Sequence, residues 1–165
     1  MADGNLKDLQ RMLNRLAKDL PIETAKIIEV EGLGFINKNF RDQGFNTGSG
    51  VKTWDDRKTK DKAGRNITHY RTNRRGRAGT LNKYGRKIEG RAILVGHKTG
   101  GDKLKNSFRA RRSLSMVKFI TYKDYAKTHN EGLGHHPERR FMGPSAYLDK
   151  KIAKKLTRRL DRRFK

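Results

Sequence analysis

Cysteine is absent from this chain of 165 residues. That excludes a disulfide framework, a thiolate zinc site and thiol catalysis, and it suits assembly in a reducing cytoplasm. Long apolar runs are missing as well. No stretch approaches the roughly 20 residues of a membrane span, and the opening MADGNLKDLQ has neither the basic start nor the apolar stretch of a signal peptide. The expectation is a soluble chain, unexported by the ordinary route, with no membrane partner. Acidic residues are scarce: 17 Asp and Glu face 41 Lys and Arg, a formal charge of +24. Self-repulsion on that scale calls for a polyanion or for acidic neighbouring subunits, with nucleic acid as the default partner. Apolar residues amount to only 33%, below the usual globular share, so the core must be small.

What remains reads as one α+β domain over residues 1–165, with no internal repeat and no linker that would divide it. Leu6, Leu9, Leu13, Leu16 and Leu20 alternate at three- and four-residue spacing, which predicts an amphipathic helix over residues 5–20. Core packing is the commoner fate of so short a stripe; a subunit-pairing seam is the other reading. Pro21 predicts a break, after which Glu23 suits the first turn of a second helix carrying Ile22, Ala25, Ile28 and Phe35. Gly32 and Gly34 weaken that second helix before FINKNF resumes the pattern.

Residues 43–91 change character. Glycine, Asn, Thr and Ser surround a dense basic population, and residues 57–91 hold thirteen Lys or Arg against Asp61 and Glu89. No periodicity is long enough to bury a face, so the segment reads as a long basic loop or arm. Two readings stay open for it: a solvated flexible segment, or one that orders on DNA or on an acidic face of an adjoining subunit. Within it, residues 86–94, RKIEGRAIL, read as a short helix leading towards a strand.

Residues 107–112 and 115–122 read as two antiparallel strands joined at Ser113 and Leu114, the second alternating Met116, Lys118 and Ile120 against Val117, Phe119 and Thr121. Asp124 is placed to cap a short helix through Asn130 that Gly132 closes. Phe141 and Met142 suggest a last brief strand, and Ser145 an N-cap. Beyond it Leu148, Ile152, Leu156 and Leu160 recur every four residues, flanked by paired cations at the same interval. That is a helix with one narrow apolar stripe and a positive circumference.

Catalytic and metal constellations are weak. His129, His135 and His136 have only Glu131 and Glu138 as nearby carboxylates, within a Gly- and Pro-containing turn. The cluster reads as a turn bonding its own backbone rather than as a metal or nuclease site. The Gly-x-Gly patterns at Gly32 and Gly48 lack a βαβ setting and a Gly-Lys-Ser/Thr triplet, so they mark turns and not nucleotide loops. Tyr70, Tyr84 and His69 are too sparse for a base-stacking platform.

Residues 125–145, YAKTHNEGLGHHPERRFMGPS, join a Tyr-Ala-x-x-His-x-x-Gly turn to a Pro-x-Arg-x-Phe-hydrophobic-Gly-x-Ser corner. This pairing resembles the signature of the phage virion morphogenesis family, whose members complete or terminate tails at the head–tail junction. Trp54 with the following Arg57 resembles that family's Trp-centred loop. Residues 94–107, LVGHKTGGDKLKNS, resemble its Ile-Leu-x-x-Thr-Gly-x-Leu-x-x-Ser run, with Thr99 and Gly100 matching and two extra residues before Leu104 and Ser107.

The resemblance implies an α+β protein that forms a ring, a hexamer in the virion, which stops tail-tube growth and joins the tube to the capsid connector. The implied partners are further copies of the chain, the neighbouring connector or neck and tail-tube proteins, and the genomic double-stranded DNA that passes through the axial hole. The implied location is the virion, with host cytoplasm during assembly. The role needs no active site, cofactor or metal. Under it Trp54, Arg71, Arg74, Arg75, Arg77, His129 and Glu131 are candidates for contacts between subunits or rings. Tyr125, Gly132, Pro137, Arg139, Phe141 and Gly143 form a structural corner, with Phe141 beneath the C-terminal helix. For Lys151, Lys155, Arg158, Arg159 and Arg162 two placements stay open: they line the DNA path, where a basic wall neutralises phosphates without reading sequence, or they face solvent from a helix laid over the sheet. The charge alone also favours a second class, a sequence-nonspecific nucleic-acid-binding protein; a basic nuclease trails both.

Overall fold

A computed structural model describes residues 3–95, 102–114 and 116–164. The fold is α+β, as expected: a long N-terminal helix, two small antiparallel strand pairs and a C-terminal helix. The matched Thr99 and Gly100 lie outside the described residues.

The first helix, α1 (Asp3–Asp42), is continuous through Pro21, where the sequence predicts two helices. Proline in a helix interior costs about 3 kcal/mol, from a lost hydrogen bond and a clash with the preceding turn. The C-terminal half of α1 offsets that cost by burying Ala25, Ile27, Phe35, Ile36 and Phe40. Gly32 is also helical, and the ring of Phe119 sits against it. Gln43, in the left-handed region at φ 51°, ends the helix. Its side-chain amide donates to the Phe40 carbonyl at 2.6 Å and accepts from the Ile93 amide, while its own carbonyl accepts from the Trp54 amide at 2.8 Å.

Residues 43–91 hold more regular structure than expected. Strands β1 (Gly44–Asn46) and β2 (Val51–Thr53) pair antiparallel, and helix α2 (Lys83–Ile88) ends before the predicted stretch of residues 86–94 is complete. Short polar side chains, and not an apolar face, hold the rest together. Asp61 accepts from the Ala63 and Arg65 amides at 2.9 Å each. Asn82 accepts from the Gly85 amide to cap α2 and donates back to the carbonyls of Ile67 and His69.

A short turn of 3-10 helix, Leu104–Asn106, leads into β3 (Arg109–Arg112), which pairs antiparallel with β4 (Val117–Ile120). Both strands are shorter than the sequence implies. Helix α3 (Tyr125–Glu131) is closed by Gly132 at φ 67°, as expected, but Asp124 makes no side-chain cap. Phe141 and Met142 do not form a strand; their amides both donate to Asn130 Oδ1, at 3.0 and 2.9 Å, in place of a ladder. Ser145 caps α4 (Ala146–Asp161) by accepting from the Leu148 amide, and its hydroxyl donates to the Asn46 carbonyl at 2.6 Å. Helix α4 packs along α1, with Leu148, Ile152, Leu156 and Leu160 half-buried.

The core sits where α1, the approach to β3 and the 137–143 segment meet. Phe141 is 1% exposed, but its ring neighbours are Phe40, stacked at 5.1 Å, and Phe108 at 5.3 Å. No residue of α4 belongs to that cluster among the described residues, which corrects the expectation that Phe141 lies beneath the C-terminal helix. Helix α4 instead meets α1 through Tyr147 on Phe35 and through ion pairs.

Candidate functional site

The motif residues converge, with distant ones, on a single corner. Trp54, expected at an interface, is a core residue at 6% exposure; its indole meets Phe40 edge-on and donates to the Arg140 carbonyl at 2.7 Å. Arg139 is buried and donates to the carbonyl of Asp55 through Nε and Nη2, at 3.2 and 3.0 Å, and to that of Asp56. Burial and then the neighbouring Arg57 lower its pKa. Arg57 in turn donates to the carbonyls of Arg91 and Ala92. These two guanidiniums satisfy loop carbonyls that no regular element pairs, so they fasten the arm.

Asn39, fully buried on α1, donates to the Phe141 carbonyl and accepts from the Asn46 amide. Gly143 adopts φ 151°, a backbone conformation that side chains rarely take, so the bend favours glycine. Asn39, Gln43 and Asn130 complete the corner, yet nothing in their spacing marks them in the sequence.

The His turn is packed on this corner. His129 is half-buried, its carbonyl accepts from the Arg139 amide at 2.7 Å, and its ring lies between Tyr125 and His136 at 5.9 and 5.3 Å. Burial, then the charges of His136 and Arg139, hold His129 below the usual histidine pKa. Its Nδ1 is buried without a hydrogen-bond partner. Pro137 is half-buried, while Glu131 and Tyr125 are exposed. Among the described residues no group of three or more His, Cys, Asp or Glu is placed to hold a metal ion. An open groove of about 810 Å³ separates His135 and His136 from Arg57, Lys58 and Tyr84 of the arm.

The candidate cations fall into two sets. Arg71, Arg74, Arg75 and Arg77 are all exposed on turns of the arm, and none forms an ion pair among the described residues. On α4 the candidates are divided. Lys151 and Lys155 both pair with Glu31 of α1, the first at 2.8 Å, and Arg159 approaches Glu23 at 3.9 Å. Arg163 bonds Glu23 at 2.7 Å and Asp19 at 3.3 Å. Burial pushes the Glu31 carboxyl up, but the hydrogen bonds and charges of the two lysines outweigh this and hold it below its ordinary value. Three of the five residues expected to line a DNA path therefore face acids of their own chain. Arg158 and Arg162 have no carboxylate partner among the described residues; with Lys26 and Val30 they border a cationic hollow of about 330 Å³ between α1 and α4. The sequence holds a signal for this zipper: Asp19, Glu23 and Glu31 keep a four-residue register that matches Lys151, Lys155, Arg159 and Arg163 running the other way.

No family model, curated protein or solved structure matches this chain. Among the described residues, no helix is long and apolar enough to cross a membrane.

Proposed function

We propose that this chain is a structural protein of the phage head–tail junction, a tail-completion, terminator or neck subunit that forms a ring around the DNA path. The observation that carries the reading is the behaviour of the motif residues behind the family resemblance. Trp54, His129, Gly132, Arg139, Phe141 and Gly143 bind one another or their immediate neighbours and build a rigid corner. A signature made of scaffold residues fits a protein whose work is assembly. The exposed cations of the arm, Arg71, Arg74, Arg75 and Arg77, supply charge for neighbouring acidic rings or for the genome.

The test is the composition of particles. Virions from the phage that encodes this chain should contain it at the neck in ring stoichiometry, with six copies expected, as read by quantitative mass spectrometry and tag-directed electron microscopy. Absence from particles, or scattered copies on the capsid, overturns the proposal.

The same exposed arginines favour a second reading, a sequence-nonspecific nucleic-acid-binding protein. It expects tight duplex binding by the isolated chain, with log K falling steeply and linearly with log salt, and no chain in virions.

A further inference from the structure

The apolar stripe at the start of α1 is left uncovered. Leu6, Leu9 and Leu13 are 68%, 47% and 48% exposed, and every residue from 6 to 15 is exposed. Of the two readings open for the stripe, core packing fails for Leu6, Leu9 and Leu13, while Leu16 and Leu20 are half-buried. Helix α4 covers α1 only as far as Asp19, where Arg163 pairs with it. Just beyond, the exposed ring of Phe164 shares a hollow of about 200 Å³ with Met12 and Leu16, at whose rim lie Arg15 and the paired Asp19 and Arg163.

The pattern of this stripe says what covers it. Leu6, Leu13 and Leu20 occupy the a positions of consecutive heptads and Leu9 and Leu16 the d positions, which is the narrow seam of a coiled coil and not the wider face of a core helix. The flanking e and g positions are Gln10, Met12, Ala17 and Asp19. None is cationic, in a chain where about one residue in four is Lys or Arg. Lys7, Arg11, Arg15 and Lys18 all fall on the outer b, c and f positions. For a protein of charge +24 most surfaces repel a second copy; here the a, d, e and g positions of the segment carry no cation, and the nearby Arg163 is paired with Asp19 and Glu23.

We propose that the open part of this segment, residues 6–16, pairs with the same segment of a second copy of the chain. Two heptads alone are too short to hold a helix in water. Here the helix is already formed, anchored by the buried half of α1 from Ala25 to Phe40, so association carries no cost of nucleation. The inference stands on the seam alone and holds whether or not the head–tail reading does.

Sedimentation of the full chain, stripped of nucleic acid at high salt, tests it. Reversible association should grow with concentration and strengthen with added salt, because screening relieves the repulsion between two cationic bodies. Leu9→Lys with Leu13→Lys replaces exposed residues, so circular dichroism and thermal midpoint should be unchanged while the dissociation constant rises by about a hundredfold or more. Because the chain has no cysteine, single-cysteine variants report the contact directly. In a parallel pair Leu13→Cys meets its own copy and should oxidise to a covalent dimer; in an antiparallel pair, where a faces d, a mixture of the Leu9→Cys and Leu13→Cys variants should do so; Arg11→Cys, at an outer position, should not in either. A wild-type chain that stays monomeric at every concentration overturns the proposal and leaves the stripe to another kind of partner. So does a double-lysine variant that associates like wild type, or cross-linking at position 11 equal to that at the seam.

Discussion

The ring of Phe119 lies on the bare backbone of Gly32: a Cβ at that glycine would stand 2.2 Å from Phe119 Cζ and 2.8 Å from Cε1. The contact seats the β3–β4 hairpin on α1, because β4 carries Phe119 and α1 carries the glycine. Two effects oppose each other in Gly32→Ala. Helix propensity favours alanine by about 1 kcal/mol, while overpacking a rigid aromatic against backbone costs about 1–3 kcal/mol. The ring is half-buried and packed against the core, and the clash falls on its body and not on a flexible tip, so the expected result is a net loss of stability in urea unfolding. Phe119→Leu introduced into Gly32→Ala should restore part of that loss, a non-additive pair that would not couple if the two residues were apart.

Phe141→Ala removes a ring packed between Phe40 and Phe108. A loss of about 3–5 kcal/mol is expected, enough to unfold a small cationic domain at ordinary temperature. Chemical denaturation with a stabilising osmolyte would read it. A loss under 1 kcal/mol would show that the corner is not the centre of the core.

The Glu31 triad predicts a pH dependence. Its folded pKa is depressed below 4.5, so the stabilisation is fully present above that value and is lost as pH falls through the folded pKa. Glu31→Gln should flatten the acid limb of a plot of unfolding free energy against pH. Replacing both Lys151 and Lys155 with Ala leaves the carboxylate buried without a cation. Solvent reaches both amines in the native state, so the expected cost at neutral pH is about 1–2 kcal/mol, below that of a fully buried pair.

His129 titrates with the opposite chemistry and the same sign. Its folded pKa lies below 6.5 because burial disfavours the imidazolium, so the unfolded chain takes up a proton first as pH drops. Stability is full above about pH 6.5 and falls as pH descends towards the folded value. His129→Gln should remove that slope, as read by thermal midpoints across a pH series. An unchanged slope would place the titration elsewhere.

The exposed arginines of the arm separate two kinds of contact. If Arg71, Arg74, Arg75 and Arg77 bind carboxylates of an adjoining ring in a planar, bidentate way, the fourfold Lys variant should lose tail attachment despite its unchanged charge. Under the proposed head–tail role protein contact is the expected outcome, because a tight grip on phosphate would slow ejection. Fully infectious particles with normal tails would make the arginines plain point charges.

Much of this molecule is legible locally. The period of Leu148, Ile152, Leu156 and Leu160 defines α4, Ser145 its cap and Gly132 the end of α3, because caps and periodicity act within one or two turns of chain. The strand pair is readable from alternation around Ser113, though not its ends. The corner is less so: Asn39, Gln43 and Asn130 act across 102, 50 and 12 residues of sequence, and no local pattern marks them.

Tertiary structure alone decided the rest. Pro21 breaks a helix only when nothing repays its cost, and the buried half of α1 does. Gly32 reads as weakness until Phe119 needs the space. Of the two leucine stripes, that of α4 is half-buried along α1 while Leu6, Leu9 and Leu13 stand open, and four cations of α4 that looked free, Lys151, Lys155, Arg159 and Arg163, pair with acids of α1. Periodicity states which residues share a face; what that face meets depends on contacts between distant segments, whose summed energies exceed the propensity of any one residue.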